Sequence, residues 1–238
     1  MAKGLSDDGP LPSQGTGKGL LRLDNTALIR QRGAMTSHPT PLALIPLLLA
    51  LAGCATTAPA DDPQAAFLAN LAQHCGKAYP GRLVSTDAAD SDLAGKPMIV
   101  HFRSCSADRM EIPFHVGTEG GGWNRSRTWI ITRTGTGLRL KHDHRHEDGS
   151  IDKITQYGGD TATVGTPSQQ TFPVDAESIA MFRAQGLTGS VTNRWVVDID
   201  ADTYAYALRR PDGPNARNFR VEFDLSQPIA PPPAPWGW

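Results

Sequence analysis

Arg127-Thr-Trp-Ile-Ile-Thr-Arg-Thr-Gly-Thr-Gly-Leu-Arg-Leu-Lys-His-Asp-His-Arg-His146 is the stretch on which the reading of the fold turns. Its period is two. Leu138, Leu140, His142, His144 and His146 share one face of a strand, and Arg139, Lys141, Asp143, Arg145 and Glu147 share the other. Gly135-Thr-Gly137 supplies the turn between this strand and the preceding one, Arg127 to Thr134, so the two are antiparallel neighbours. The charged face reads as the solvent face. The three histidines then point inward, where the two leucines lead into a core.

The same alternation recurs on both sides of this hairpin. Gly81 to Thr86, Met98 to Ser104, Met110 to Val116, Ile151 to Tyr157, Arg194 to Ile199, Thr203 to Arg209 and Asn218 to Leu225 each predict a strand. Short turn signals such as Asp148-Gly149, Asp200-Ala-Asp202 and Pro211-Asp-Gly-Pro214 link them, which makes the chain an antiparallel meander. Two helices are expected. One starts at Asp62 as cap with Pro63 in the first turn and sets Phe67, Leu68, Leu71 and Cys75 on one face; the other covers about 175–185. So many meandering strands must hide their edges, and closing into a β-barrel does that, with a β-sandwich as the competing arrangement.

Upstream, Pro41-Leu-Ala-Leu-Ile-Pro-Leu-Leu-Leu-Ala-Leu-Ala-Gly53 is wholly apolar and stops at Cys54. At about a dozen residues it is too short to cross a bilayer as a helix and has the length of a secretory apolar region. A buried core helix is the bland alternative, against which stand Pro46 and the lack of a polar face. Leu51-Ala-Gly-Cys54 resembles the lipobox of bacterial lipoproteins. That resemblance implies cleavage before Cys54, a lipid on Cys54 and attachment to a membrane; Ala55, in place of aspartate, implies the outer membrane and its periplasmic face. Residues 1–34 then read as a disordered or mis-called upstream extension, 35–53 as the signal peptide starting at Met35, and 54–61 as a tether. Residues 62–227 form the barrel domain and 228–238 a Pro/Trp-rich tail that either packs on the barrel or binds a partner. With Cys54 acylated, Cys75 and Cys105 remain as a pair. An oxidising compartment makes them an expected disulfide, two buried thiols being the alternative.

Two further resemblances concern the domain. Its architecture is similar to the lipocalin-like, or calycin, barrels, although Tyr79-Pro-Gly-Arg-Leu-Val84 lacks the Gly-x-Trp expected of a lipocalin's first strand. Leu138 to Gly149 together with Tyr157-Gly-Gly-Asp160 resemble a family of uncharacterised proteobacterial secreted proteins, which implies no activity.

Candidate chemistry concentrates on the histidine strand. Next-but-one residues lie about 6.6 Å apart at Cα, so two of His142, His144 and His146 could meet one zinc or copper ion, with His101, His115 or Glu111 completing the set. The bland alternative is a hydrogen-bonded polar rim at the barrel mouth, and a proton-handling site is the third reading. Arg127 and Arg133 share a face with Trp129 and Ile131, and an inward arginine needs a carboxylate from the protein or from a ligand. Gly117-Thr-Glu-Gly-Gly-Gly-Trp123 reads as a loop with an aromatic tip, since no phosphate-cradling helix follows. No Gly-x-Ser-x-Gly elbow is present, and no nucleophile stands out. A net charge of −1 without a basic block argues against nucleic acid. The expectation is therefore a non-enzymatic envelope lipoprotein, cofactor-free, whose partners are the membrane through Cys54 and a small ligand or another envelope protein. A metal-dependent enzyme using the histidines and a purely structural lipoprotein are the competing readings.

Overall fold

A computed structural model describes residues 62–238; Cys54 and the segments expected to be an upstream extension, a signal peptide and a tether lie outside the described residues. Helix α1 (Pro63–Ala72) comes first. It is followed by strands β1 (Ala78–Leu83), β2 (Met98–His101), β3 (Ser104–Cys105), β4 (Arg109–Gly117), β5 (Trp123–Arg133), β6 (Leu138–His144), β7 (Tyr157–Asp160) and β8 (Gln169–Pro173). Helix α2 (Ala176–Ala184) precedes β9 (Arg194–Ile199), β10 (Thr203–Arg210) and β11 (Arg217–Asp224).

The sheet is mainly antiparallel and nearly closed into a barrel. Its strands run β7-β6-β5-β4-β2-β1-β11-β10-β9-β8, and β3 pairs with β4 beside this path. The first and last strands meet through Gly81↔Phe223 and Leu83↔Val221, which closes the ring except for one seam between β7 and β8. Two devices narrow that seam. A Cβ on Gly159 would run into the Pro173 carbonyl oxygen, so glycine lets the two strands approach. The first turn of α2 then staples them: Asp175 N–H donates to the Gly158 carbonyl (2.9 Å), and the buried Ser178 hydroxyl accepts from Gly158 N–H (2.8 Å) and donates to its carbonyl (3.2 Å).

One end of the barrel is closed by α1. Asp62 caps it by accepting from Gln64 and Ala65 N–H, both at 3.0 Å, and pairs with Arg133; Phe67, Leu68 and Leu71 are buried in the core. The helix ends at Ala72, before Cys75, which lies in the following turn and forms the disulfide with Cys105 of β3.

The sequence reading fails at three places, each for a local reason. Residues 151–156 are not a strand, and Ile151 makes only an isolated bridge with Arg145. Asp152 accepts from Ile154 N–H, Thr155 accepts from His144 N–H and Gln156 takes a positive φ of 54°, so side-chain hydrogen bonds replace the ladder until Tyr157. Strand β8 was not expected, because Gln169-Gln-Thr-Phe-Pro173 carries a single large apolar side chain. The third correction concerns Asp143. It is not on a solvent face but buried, because the tail folds over the outside of the barrel. Ile229 N–H donates to the Ala78 carbonyl, Trp236 N–H to the Arg125 carbonyl, and Trp238 Nε1–H to Asp143 Oδ2 (3.1 Å).

Candidate functional site

The end opposite α1 opens into a cavity of about 310 Å³. Its construction follows from strand parity, since four inward rows end at this mouth on a polar residue. On β5 the row is Ile131, Trp129, Arg127; on β6 it is Leu140, His142, His144; on β10 it is Tyr206, Leu208, Arg210; on β11 it is Val221, Phe219, Arg217. Apolar rows fill the closed half, aromatic rings form a floor, and arginines with His144 form the rim.

The floor is a stack that crosses the barrel. Phe114 of β4 lies on Trp129 at 4.9 Å between centroids and 10° between planes, and Trp129 lies on Tyr206 of β10 at 4.2 Å and 14°. Tyr206 donates its hydroxyl proton to His142 Nε2 (2.7 Å), because His142 Nδ1 (3.0 Å) faces the Tyr157 carbonyl, which can only accept. Both ring nitrogens of His142 are thereby used. The ring also stacks on Tyr157 at 4.5 Å, and burial pushes its pKa down to about 3, with the Tyr157 carbonyl opposing the shift. His144 sits one step nearer the mouth, with Nε2 3.1 Å from the Tyr157 hydroxyl; burial, then Arg127, hold its pKa at about 4. At neutral pH both imidazoles are uncharged.

The rim carries three guanidiniums. Arg217 is matched by Asp87 and Asp90. Arg210 donates to Asn193 Oδ1 (2.7 Å) and Ser190 Oγ (3.1 Å), and Arg127 to Ser126 Oγ (3.2 Å) and Asn124 Oδ1 (3.4 Å); among the described residues neither has a carboxylate partner. Burial and then Arg217 lower the pKa of Arg210. Neither chain family, curated protein nor solved structure matches this sequence. The chemistry of the mouth is therefore read from its own geometry.

Of the residues singled out by sequence, His142, His144 and Arg127 meet at the cavity. His146 does not: β6 ends at His144, and His146 is exposed in the following turn. His101 and His115 do not either. Phe114 and Val100 face inward, so His115 and His101 face outward, and the tail covers His115. Burial drives His115 down to about 4, with the Pro233 carbonyl opposing and Arg125 adding to the shift. Glu111 pairs with Arg109 on the outside, and Arg133 pairs with Asp62 at the closed end. Among the described residues no three His, Cys, Asp or Glu side chains converge as a metal-binding group. The sequence reading set Tyr206 on an apolar core row and Tyr157 at the end of a strand without assigning either to the site, and it did not single out Arg210 or Arg217. The last two were within reach, because extending the rows Tyr204, Tyr206, Leu208 and Phe223, Val221, Phe219 by one more alternation lands on them.

Proposed function

We propose that this protein is an envelope lipoprotein, acylated at Cys54 and held at the periplasmic face of the outer membrane, whose β-barrel binds a small ligand at its open end. The observation that carries the binding half is the cavity. Its volume of about 310 Å³ is at the small end of the roughly 300–1,000 Å³ of ligand sites, and it combines an aromatic floor with a few polar groups at the rim. A barrel with a purely structural role would have no reason to leave its ring-lined end open, with two guanidiniums lacking carboxylates. The anchoring half is supported by the Leu51-Ala-Gly-Cys54 motif and by the Cys75–Cys105 disulfide, a bond typical of oxidising compartments. Binding is favoured over catalysis because His142 is fully committed to its neighbours and His144 is uncharged at neutral pH beside an arginine.

Native mass spectrometry on protein exported without its lipid tests the binding half. A co-purifying small organic mass is expected, absent from Leu208→Trp, in which an indole occupies the cavity. Identical, ligand-free spectra for both would contradict it. Cys54→Ser is expected to abolish incorporation of a labelled lipid precursor; unchanged labelling would contradict the anchor.

A further inference from the structure

Two of the three guanidiniums that line the cavity, Arg127 and Arg210, have no carboxylate partner among the described residues. Arg133, Arg145, Arg217 and Arg220 each touch a carboxylate; of the partly buried arginines that have none among the described residues, only Arg127 and Arg210 line the cavity, and their partners there are neutral Ser and Asn oxygens. A half-buried guanidinium without a counter-charge presents unused donors in a fork that fits a carboxylate in two parallel hydrogen bonds. Arg127 of β5, paired with the last residue of β6, and Arg210, the last residue of β10, stand on different walls, with the Trp129–Tyr206 stack beneath them. Asp90, also lining the cavity and buried, is paired with Arg217, so one guanidinium of the rim is already taken and two remain, which suits a single carboxylate better than a ligand with several. The volume of about 310 Å³ is about twice the ~150 Å³ cavity that encloses a benzene. This leaves room for one or two rings.

We propose that the ligand is a small aromatic monocarboxylate, with its ring system on the Trp129–Tyr206 floor and its carboxylate between Arg127 and Arg210. This rests on the mouth being a ligand site, and it adds the charge and shape of the occupant. His144 reports on the same event. A carboxylate beside Arg127 offsets the charge that helps keep His144 at about 4, so binding raises the pKa of His144.

The test is calorimetric titration of the wild-type protein with 1-naphthaleneacetate, with its neutral isostere 1-naphthaleneacetamide and with inorganic phosphate, followed by NMR titration of the His144 ring. The acid is expected to bind at least about tenfold more tightly than the amide, with an upward shift of the His144 pKa that the amide does not produce. Arg127→Gln and Arg210→Gln are expected to weaken the acid more than the amide and so to remove most of the acid's advantage. Equal binding of acid and amide, with the amide displaced by Leu208→Trp, would overturn the anionic proposal and leave the ligand site intact. Phosphate binding as tight as the acid would overturn the aromatic part. No binding of acid or amide would overturn both the proposal and the reading beneath it.

Discussion

His142 shows how one residue can satisfy the sequence pattern and still differ from the role the pattern suggests. Three alternating histidines on a strand favour a polar rim and leave metal ligation open, and the difference lies in their neighbours. Tyr157 and Tyr206 arrive from β7 and β10, far away in sequence, and take both nitrogens of His142. A ladder register decides this, and a single strand does not contain it. The arrangement fixes the tautomer with the proton on Nδ1, which nitrogen-15 NMR of the ring should show through pH 5; a proton on Nε2 would contradict the assignment. Tyr206→Phe removes the donor and leaves a buried, unpaired Nε2. The expected cost is about 1–3 kcal/mol, read as a fall of several degrees in Tm at roughly 2–4 °C per kcal/mol for a domain of this size. An unchanged Tm would mean that the hydroxyl and imidazole are not coupled.

At the scale of the element, alternation located most strands because one face of each is in the core, and period two is the direct consequence of that burial. Strands β9 and β10 match their apolar rows almost to the residue. Where local side-chain hydrogen bonds intervene, as over 151–156, the alternation misleads, and where poor β-formers do, as in β8, it is silent. The closure of the barrel was also out of reach in its detail, since it depends on Gly159 packing against Pro173 and on Ser178 of α2 reaching Gly158. That staple is testable. Ser178→Ala leaves the Gly158 N–H without its partner in a buried seam, and the expected destabilisation is about 1–3 kcal/mol. Faster amide exchange at Gly158 should accompany it, whereas exchange across β9–β10 should stay protected up to global unfolding. Loss of protection spread evenly over the sheet would argue against a local seam. Gly159→Ala should be worse, because its Cβ meets backbone and not a side chain that can turn away.

For the whole molecule, the barrel is half solid and half hollow. Helix α1 and the apolar rows fill one end, and the tail braces the outside over His115 and Asp143. Three histidines are held neutral by this packing, with pKa values of about 4, 3 and 4 at His115, His142 and His144, and burial is the leading cause for each. In the unfolded chain they titrate near 6.5. As pH falls through about 6.5 the unfolded state takes up protons that the folded state refuses, so folding stability drops between about pH 6.5 and 4 and is retained above that window. Each histidine contributes up to about 1.4 kcal/mol per pH unit there. Chemical denaturation across pH 4–8 should show this fall, and a flat profile would contradict the burial of the three rings. The central claim, that the open end is a binding site, is tested most directly by the five indole N–H signals in a nitrogen-15 correlation spectrum during titration with 1-naphthaleneacetamide. Saturable shifts at Trp129 and Trp195, which line the cavity, are expected, with Trp236 and Trp238 on the outer face unmoved. Shifts confined to the tail tryptophans, or none at any indole, would contradict it.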